Sequence, residues 1–160
     1  MPEWLKRKLI EPENLAKTID ELKSAGHKIA TLNGSFDLLH AGHLYILSEA
    51  KKQGDLLLVA LNTDASIQSY KSPLRPIIPL MHRLALIAAL EFVDYVTYFD
   101  QTDPRSLLEI IRPEVHVNGA EYGENCIEAP IVQKYGRLHL VPRIPTLSTS
   151  ALIEKIKTCE

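Results

Sequence analysis

The hexapeptide Leu56 to Leu61, LLLVAL, is apolar at every position. A strand with one wet face alternates apolar and polar residues. An unbroken apolar run instead suits a strand covered on both faces, as in a parallel sheet lying between layers of helices. The rest of the chain supplies the partners such a strand needs. Ile29 to Leu32, closed by Asn33-Gly34, reads as a first strand, Val93 to Phe99 as a third, Val115 to Asn118 as a fourth and Leu138 to Val141 as a fifth. Helical spacing fills the intervals. Leu15, Ile19 and Leu22 run to a stop at Gly26, and Gly42 to Gln53 places Leu44, Leu47 and Ala50 on one face before a stop at Gly54. Leu80, Leu84, Ile87 and Ala88 follow Pro79. Asp103-Pro104, an N-cap with proline behind it, opens a helix through Leu107, Leu108 and Ile111 that Pro113 ends, and Thr149 to Lys157 forms the last helix. Strands alternating with helices predict right-handed βαβ units and hence an α/β fold with a five-stranded, parallel, doubly wound, Rossmann-like sheet. With no linker, repeat or low-complexity tract, residues 1–160 are expected to form one domain, 1–26 being an N-terminal helical segment.

Charge narrows the partners. The formal net charge of −2 argues against a nucleic-acid binder, and nothing resembles a recognition helix or an aromatic platform. The balance hides a local excess, because between positions 51 and 83 Lys51, Lys52, Lys71, Arg75 and Arg83 face only Asp55 and Asp64. Lys51 and Lys52 suit the solvated face of a helix; the others could steer small anions. No apolar run approaches the roughly 20 residues of a membrane span, so no membrane partner is expected. Met1 to Ile10 is charged with no apolar region behind it, so no secretory signal is expected. Cys126 and Cys159 make neither a disulfide framework nor a CxxC pair. A reduced, cytoplasmic protein is the expectation.

In doubly wound sheets ligands bind beyond the carboxyl ends of the strands, where strand order reverses. That places Asn33 to His43, Asn118 to Tyr122 and Thr146 to Ser150 at one rim. The first segment carries the most chemistry. It is neither a Walker loop nor GxGxxG. It does lead from a strand end into a helix N-terminus, whose free N–H groups and positive dipole end favour an anion. Gly42 permits close backbone approach, and His40 and His43, three apart, can face one phosphate chain. Imidazoles donate hydrogen bonds to phosphoryl oxygens and can take up charge. As metal ligands the pair lacks a third His or Cys at useful spacing, so no protein metal site is expected. Taken singly, Asp37 reads as a turn residue or cap, Asn33-Gly34 as a turn, and Ser148 and Thr149 as a helix cap. His27, His82, His116 and His139 read as ordinary surface or core residues.

Asn33-Gly34-Ser35-Phe36-Asp37 followed by His40-Ala41-Gly42-His43 resembles the HxGH signature of the cytidylyltransferase-like nucleotidyltransferase superfamily. The resemblance extends through Val59 to Ser66, Lys71 with Arg75-Pro76, Pro79 with Arg83, Ala88 to Asp94, and Ser148-Thr149-Ser150. Those stretches are most similar to the heptose 1-phosphate adenylyltransferase domain of bacterial heptose synthases. The resemblance implies attack by a substrate phosphate oxygen on the α-phosphorus of a nucleoside triphosphate, with release of pyrophosphate. It implies catalytic roles for His40, His43, Lys71 and Thr149. Nucleotide binding would fall to Asn33, Gly34, Ser35, Phe36, His40, Gly42, His43, Gly119, Glu121, Ser148 and Thr149. Asp37, Lys71, Arg75 and Arg83 would serve the substrate phosphate, and Mg²⁺ would accompany the triphosphate. The chain departs from the family pattern at Asn118, where lysine is usual, at Ala120 for glycine, at Glu121 for aspartate and at Ser35 for cysteine.

The leading expectation is therefore ATP as donor and a phosphorylated small molecule as acceptor, giving ADP-heptose for lipopolysaccharide core synthesis. A glycerol 3-phosphate cytidylyltransferase using CTP and an FAD-synthetase-like enzyme are the enzymatic alternatives. A non-catalytic nucleotide-binding protein is the alternative from another class. No sugar-kinase half is recognisable, so a separate kinase is expected to supply the sugar phosphate. The amphipathic first helix can pack on the domain or form a homodimer contact.

Overall fold

The computed structural model describes residues 1–143 and 148–159. Five strands, β1 (Ile29–Gly34), β2 (Leu56–Asn62), β3 (Tyr95–Phe99), β4 (Val115–Gly119) and β5 (Arg137–Val141), form one sheet in the order β3-β2-β1-β4-β5. Every pairing is parallel, with Leu32 against Val59 and Val59 against Val96, so the five-stranded parallel sheet is as the sequence predicts. The chain winds outward from β1 to β3 and then returns to the other side of β1. The reversal therefore lies between β1 and β4, and ligand crevices open there.

The helices are α1 (Glu3–Lys8), α2 (Pro12–Ser24), α3 (Ala41–Lys51), α4 (Asp64–Tyr70), α5 (Leu80–Ala88), α6 (Arg105–Ile111), α7 (Ala129–Tyr135) and α8 (Thr149–Lys157). Residues of β2 explain the layers, because successive side chains point to opposite faces. Leu57, Val59 and Leu61 pack in one buried cluster with Leu47 and Ala50 of α3 and Leu84 and Ile87 of α5. Leu58 and Ala60 enter a second cluster with Leu15 and Ile19 of α2 and Leu107 and Ile111 of α6. The apolar face of α2 is thus spent on its own sheet.

Three helices escape the periodicity argument. α1, α4 and α7 have six or seven residues each, too few turns to display an apolar stripe. α4 does carry a local signal, since Thr63 Oγ1 caps it by accepting from the Ser66 N–H at 3.1 Å. Gly54, expected as the stop of α3, lies two residues beyond its C-cap and is not left-handed. Lys52 ends α3, and Gly54 is needed for close approach, because a Cβ there would meet Lys28 O at 2.8 Å and Ala30 N at 2.9 Å. At α6 the first turn shifts by one residue. Pro104 is the cap position, and the Asp103 carboxylate accepts from the Arg105 N–H at 2.9 Å.

One polar pair lies within the core. Thr31 of β1 and His116 of β4 sit opposite each other in the register, with Thr31 Oγ1 2.8 Å from His116 Nδ1. His116 is 1% exposed, its Nε2 has no partner among the described residues, and burial lowers its pKa to about 4. Among the described residues no helix is long and apolar enough to cross a membrane.

Candidate active site

A cavity of about 440 Å³ opens beyond the carboxyl ends of β1 and β4, the size range of small-ligand sites. Its wall comes from four places: Asn33 to Phe36 with the first turns of α3, Lys71 after α4, Asn118 to Tyr122 after β4, and Val141 to Arg143 with Ser148 to Ser150 after β5. The rim expected from the sequence is assembled, except that Thr146 and Leu147 lie outside the described residues.

The segment after β1 is tightly determined. Phe36 has φ +45°, a left-handed conformation that is strained for a bulky residue. Its ring is buried, 5.3 Å from the His43 ring, and lies over Gly34, where a Cβ would come 3.2 Å from the ring edge. Asp37 is 1% exposed; it pairs with Arg75 Nε at 2.6 Å and accepts from the Ile77 and Ile78 N–H groups at 2.7 and 3.0 Å. Its carboxylate clasps the loop before α5. Asp37 thus orders this loop, and Arg75, which donates to it, lies outside the cavity wall.

Arg83 is placed away from the cavity wall. It is fully buried and donates to Ile78 O at 2.9 Å, Ser35 O at 2.6 Å, Asn62 O at 2.9 Å and Asp64 Oδ1 at 2.6 Å. No part of it reaches the cavity. Its planar fork ties the loops after β1 and β2 to α4 and to the loop before α5. Lys71 alone of the four expected phosphate residues is in the wall, where Nζ donates to Ser35 Oγ at 2.9 Å.

His40 is the N-cap of α3, and its Nδ1 accepts from the Gly42 N–H at 3.1 Å. That N–H is thus engaged rather than aimed at an anion, although Gly42 still lines the cavity. With Nδ1 accepting, the neutral His40 ring carries its proton on Nε2. His40 and His43 stack with centroids 3.9 Å apart. Burial, followed by repulsion from His40 and Lys71, lowers the His43 pKa to about 4. Burial, followed by Arg143, lowers that of His40. Both shifts favour the neutral imidazole, and His43 Nδ1 and Asn33 Oδ1 are buried with no partner among the described residues.

Across the cavity, Ser148 caps α8 by accepting from the Ala151 N–H at 3.1 Å, and Thr149 opens the helix at the wall. After β4, a Cβ at Gly119 would collide with the Glu121 carboxylate, which folds back over it. Asn118 accepts from the Gly119 N–H at 3.0 Å and reaches Glu128 at 3.4 Å. The wall also includes Arg143, Tyr45 and Ile46, which the sequence reading missed. A cation immediately after β5 was the available signal for Arg143. Tyr45 and Ile46 occupy α3 positions indistinguishable from core or surface.

Two helix N-termini facing each other over a β1–β4 crevice, with stacked HxGH imidazoles between them, define a phosphate-handling α/β protein of the nucleotidyltransferase type. Residues 31–160 match the family described as Cytidylyltransferase-like, and the chain belongs to it. The bifunctional protein HldE of Hahella chejuensis is 42% identical over 147 residues, which cover 91% of this chain and 31% of that protein. HldE of Ectopseudomonas mendocina is 40% identical over 157 residues, 97% of this chain and 33% of that protein. The chain thus spans about a third of the length of these curated relatives. The crystal structure of the lipopolysaccharide core biosynthesis protein from Thermoplasma volcanium has a TM-score of 0.58 and 29% identity, covering 77% of this chain and all of that one. Pantoate-beta-alanine ligase of Francisella tularensis, 15% identical with a TM-score of 0.59 over 95% of this chain and 80% of that one, shares the fold.

Proposed function

We propose that this chain transfers the adenylyl group of ATP to D-glycero-D-manno-heptose 1-phosphate in the cytoplasm, giving ADP-heptose and diphosphate for lipopolysaccharide core synthesis. A phosphate oxygen of the acceptor forms the new bond to the α-phosphorus as the bond to the bridging oxygen breaks. Diphosphate carries the charge away. The observation that carries this reading is the stacked His40–His43 pair in a wall that also holds Lys71 and Arg143. A polyphosphate entering this wall meets Arg143, leaving Lys71 for the acceptor phosphate, and the added negative charge favours the protonated form of His43 that burial disfavours. Thr149 and Ser150 meet the triphosphate from the end of α8.

The cavity chemistry also fits Mg²⁺ accompanying the nucleotide. Among the described residues no cluster of three His, Cys, Asp or Glu could hold a metal by itself. Glu121 is the carboxylate in the wall, so phosphate oxygens and water would complete the shell. The ion would neutralise polyphosphate charge. The choice of ATP and heptose rests on the HldE relatives and the lipopolysaccharide core biosynthesis neighbour. Diphosphate release measured with ATP and CTP against heptose 1-phosphate, glycerol 3-phosphate and flavin mononucleotide tests it. Turnover with ATP and heptose 1-phosphate is expected; turnover only with another pair would overturn the substrate assignment.

A further inference from the structure

Lys71 is a cation with no carboxylate partner among the described residues. Its stem is exposed, yet the ammonium turns in to the cavity wall, and among the described residues no acidic oxygen lies within 4.0 Å of it. Asp37, the nearest acid acting on it, is consumed by Arg75 and two backbone amides. Two neutral groups hold the ammonium instead. Ser35 Oγ accepts from Nζ at 2.9 Å, and Nζ lies 5.7 Å from the centroid of the Tyr70 ring, within cation–π range. Both holders are themselves fixed. Arg83 clamps the Ser35 carbonyl, and Tyr70 ends α4, whose last turn the Lys71 N–H closes onto Ile67 O at 2.9 Å.

We propose that Ser35 and Tyr70 are positioning residues for Lys71, holding its ammonium where it receives the phosphate of the sugar-phosphate acceptor. This rests on the function proposed above. A neutral hydroxyl and a ring face orient a lysine without cancelling its charge, whereas a carboxylate in the same place would compete with the substrate. Burial and the neighbouring Arg75 already bias Lys71 against its charged form, as the lowered pKa shows. A phosphate arriving at this ammonium relieves that cost, and ordering the side chain in advance removes its rotamer entropy from binding.

The test is a mutant cycle on acceptor binding. Ser35→Ala, which keeps the backbone groups expected to meet the nucleotide, and Tyr70→Ala should each raise the acceptor KM about fivefold and change the KM for ATP less, while Tyr70→Phe, which keeps the ring, should stay near wild type. In a Lys71→Ala background neither change should have any further effect on acceptor affinity, because both act through the lost ammonium. Equal effects with and without Lys71, or equal rises in both KM values, would overturn the proposal. The same cycle read by NMR titration with inorganic phosphate needs no turnover. A wild-type protein that turns over no sugar phosphate but shows the Lys71-dependent cycle with phosphate would sink the substrate assignment and leave the positioning claim standing. A phosphate titration insensitive to Ser35 and Tyr70 would sink the positioning claim alone.

Discussion

His116 makes acid stability a quantitative test of the sheet's interior. In the unfolded chain a histidine titrates near 6.5; in the fold, burial lowers His116 to about 4. Between these values the unfolded chain binds a proton that the folded one refuses, so stability falls as pH drops through the unfolded value and stops falling below the folded one. At about pH 7 the effect is nearly nil. At about pH 5 it is about 2 kcal/mol, and below pH 4 it saturates at roughly 3 kcal/mol, for the single side chain. Because His116 is 1% exposed, solvent screening offers no discount.

Replacing His116 by Gln keeps a polar group beside Thr31 Oγ1 but removes the titration. Urea unfolding followed by circular dichroism at about pH 7 and pH 5 gives the two differences needed. The variant should be less stable than wild type at pH 7, since the Thr31 contact is disturbed, yet should lose about 2 kcal/mol less on going to pH 5. His43, also lowered to about 4, contributes acid sensitivity of the same sign in both proteins and cancels from the comparison. Equal losses in wild type and variant would refute the reasoning, for they would mean that His116 accepts a proton within the fold at no cost.

Arg83→Met should cost about 3–5 kcal/mol in urea unfolding, because Asp64 and three carbonyls lose their common donor inside the protein. His43→Ala should lower kcat by about 10²–10³-fold in a diphosphate-release assay while the circular dichroism spectrum is unchanged; a loss under threefold would remove His43 from transition-state stabilisation. Gly54→Ala should destabilise by about 1–3 kcal/mol, since its Cβ meets Lys28 O and Ala30 N of the neighbouring strand region; a neutral result in thermal unfolding would show that the backbone yields there.

What could be read from the chain and what could not divide along a physical line. The sheet was legible because β2 is apolar on both faces and because each strand is closed by turn chemistry; alternation with helices then leaves few topologies. The rim was legible because HxGH falls between a strand and a helix, so the local chain already fixes where the imidazoles stand. Arg83, Asp37 and Arg75 are different. In the sequence each is a charge near a phosphate motif, and a charge that binds substrate looks the same as a charge that binds the protein. Only the fold shows that Asp37 faces Arg75 and two amides, and that all the neighbours of Arg83 are main-chain oxygens and Asp64. The outcome follows a rule of compensation: a buried charge persists only where its hydrogen bonds are filled. Once Asp37 and Arg83 are filled by protein, they are removed from the competition for substrate, and Lys71 and Arg143 are the cations left in the cavity wall. The positive stretch seen in the sequence therefore splits into a clamp that shapes the site and Lys71, which is left in the cavity wall.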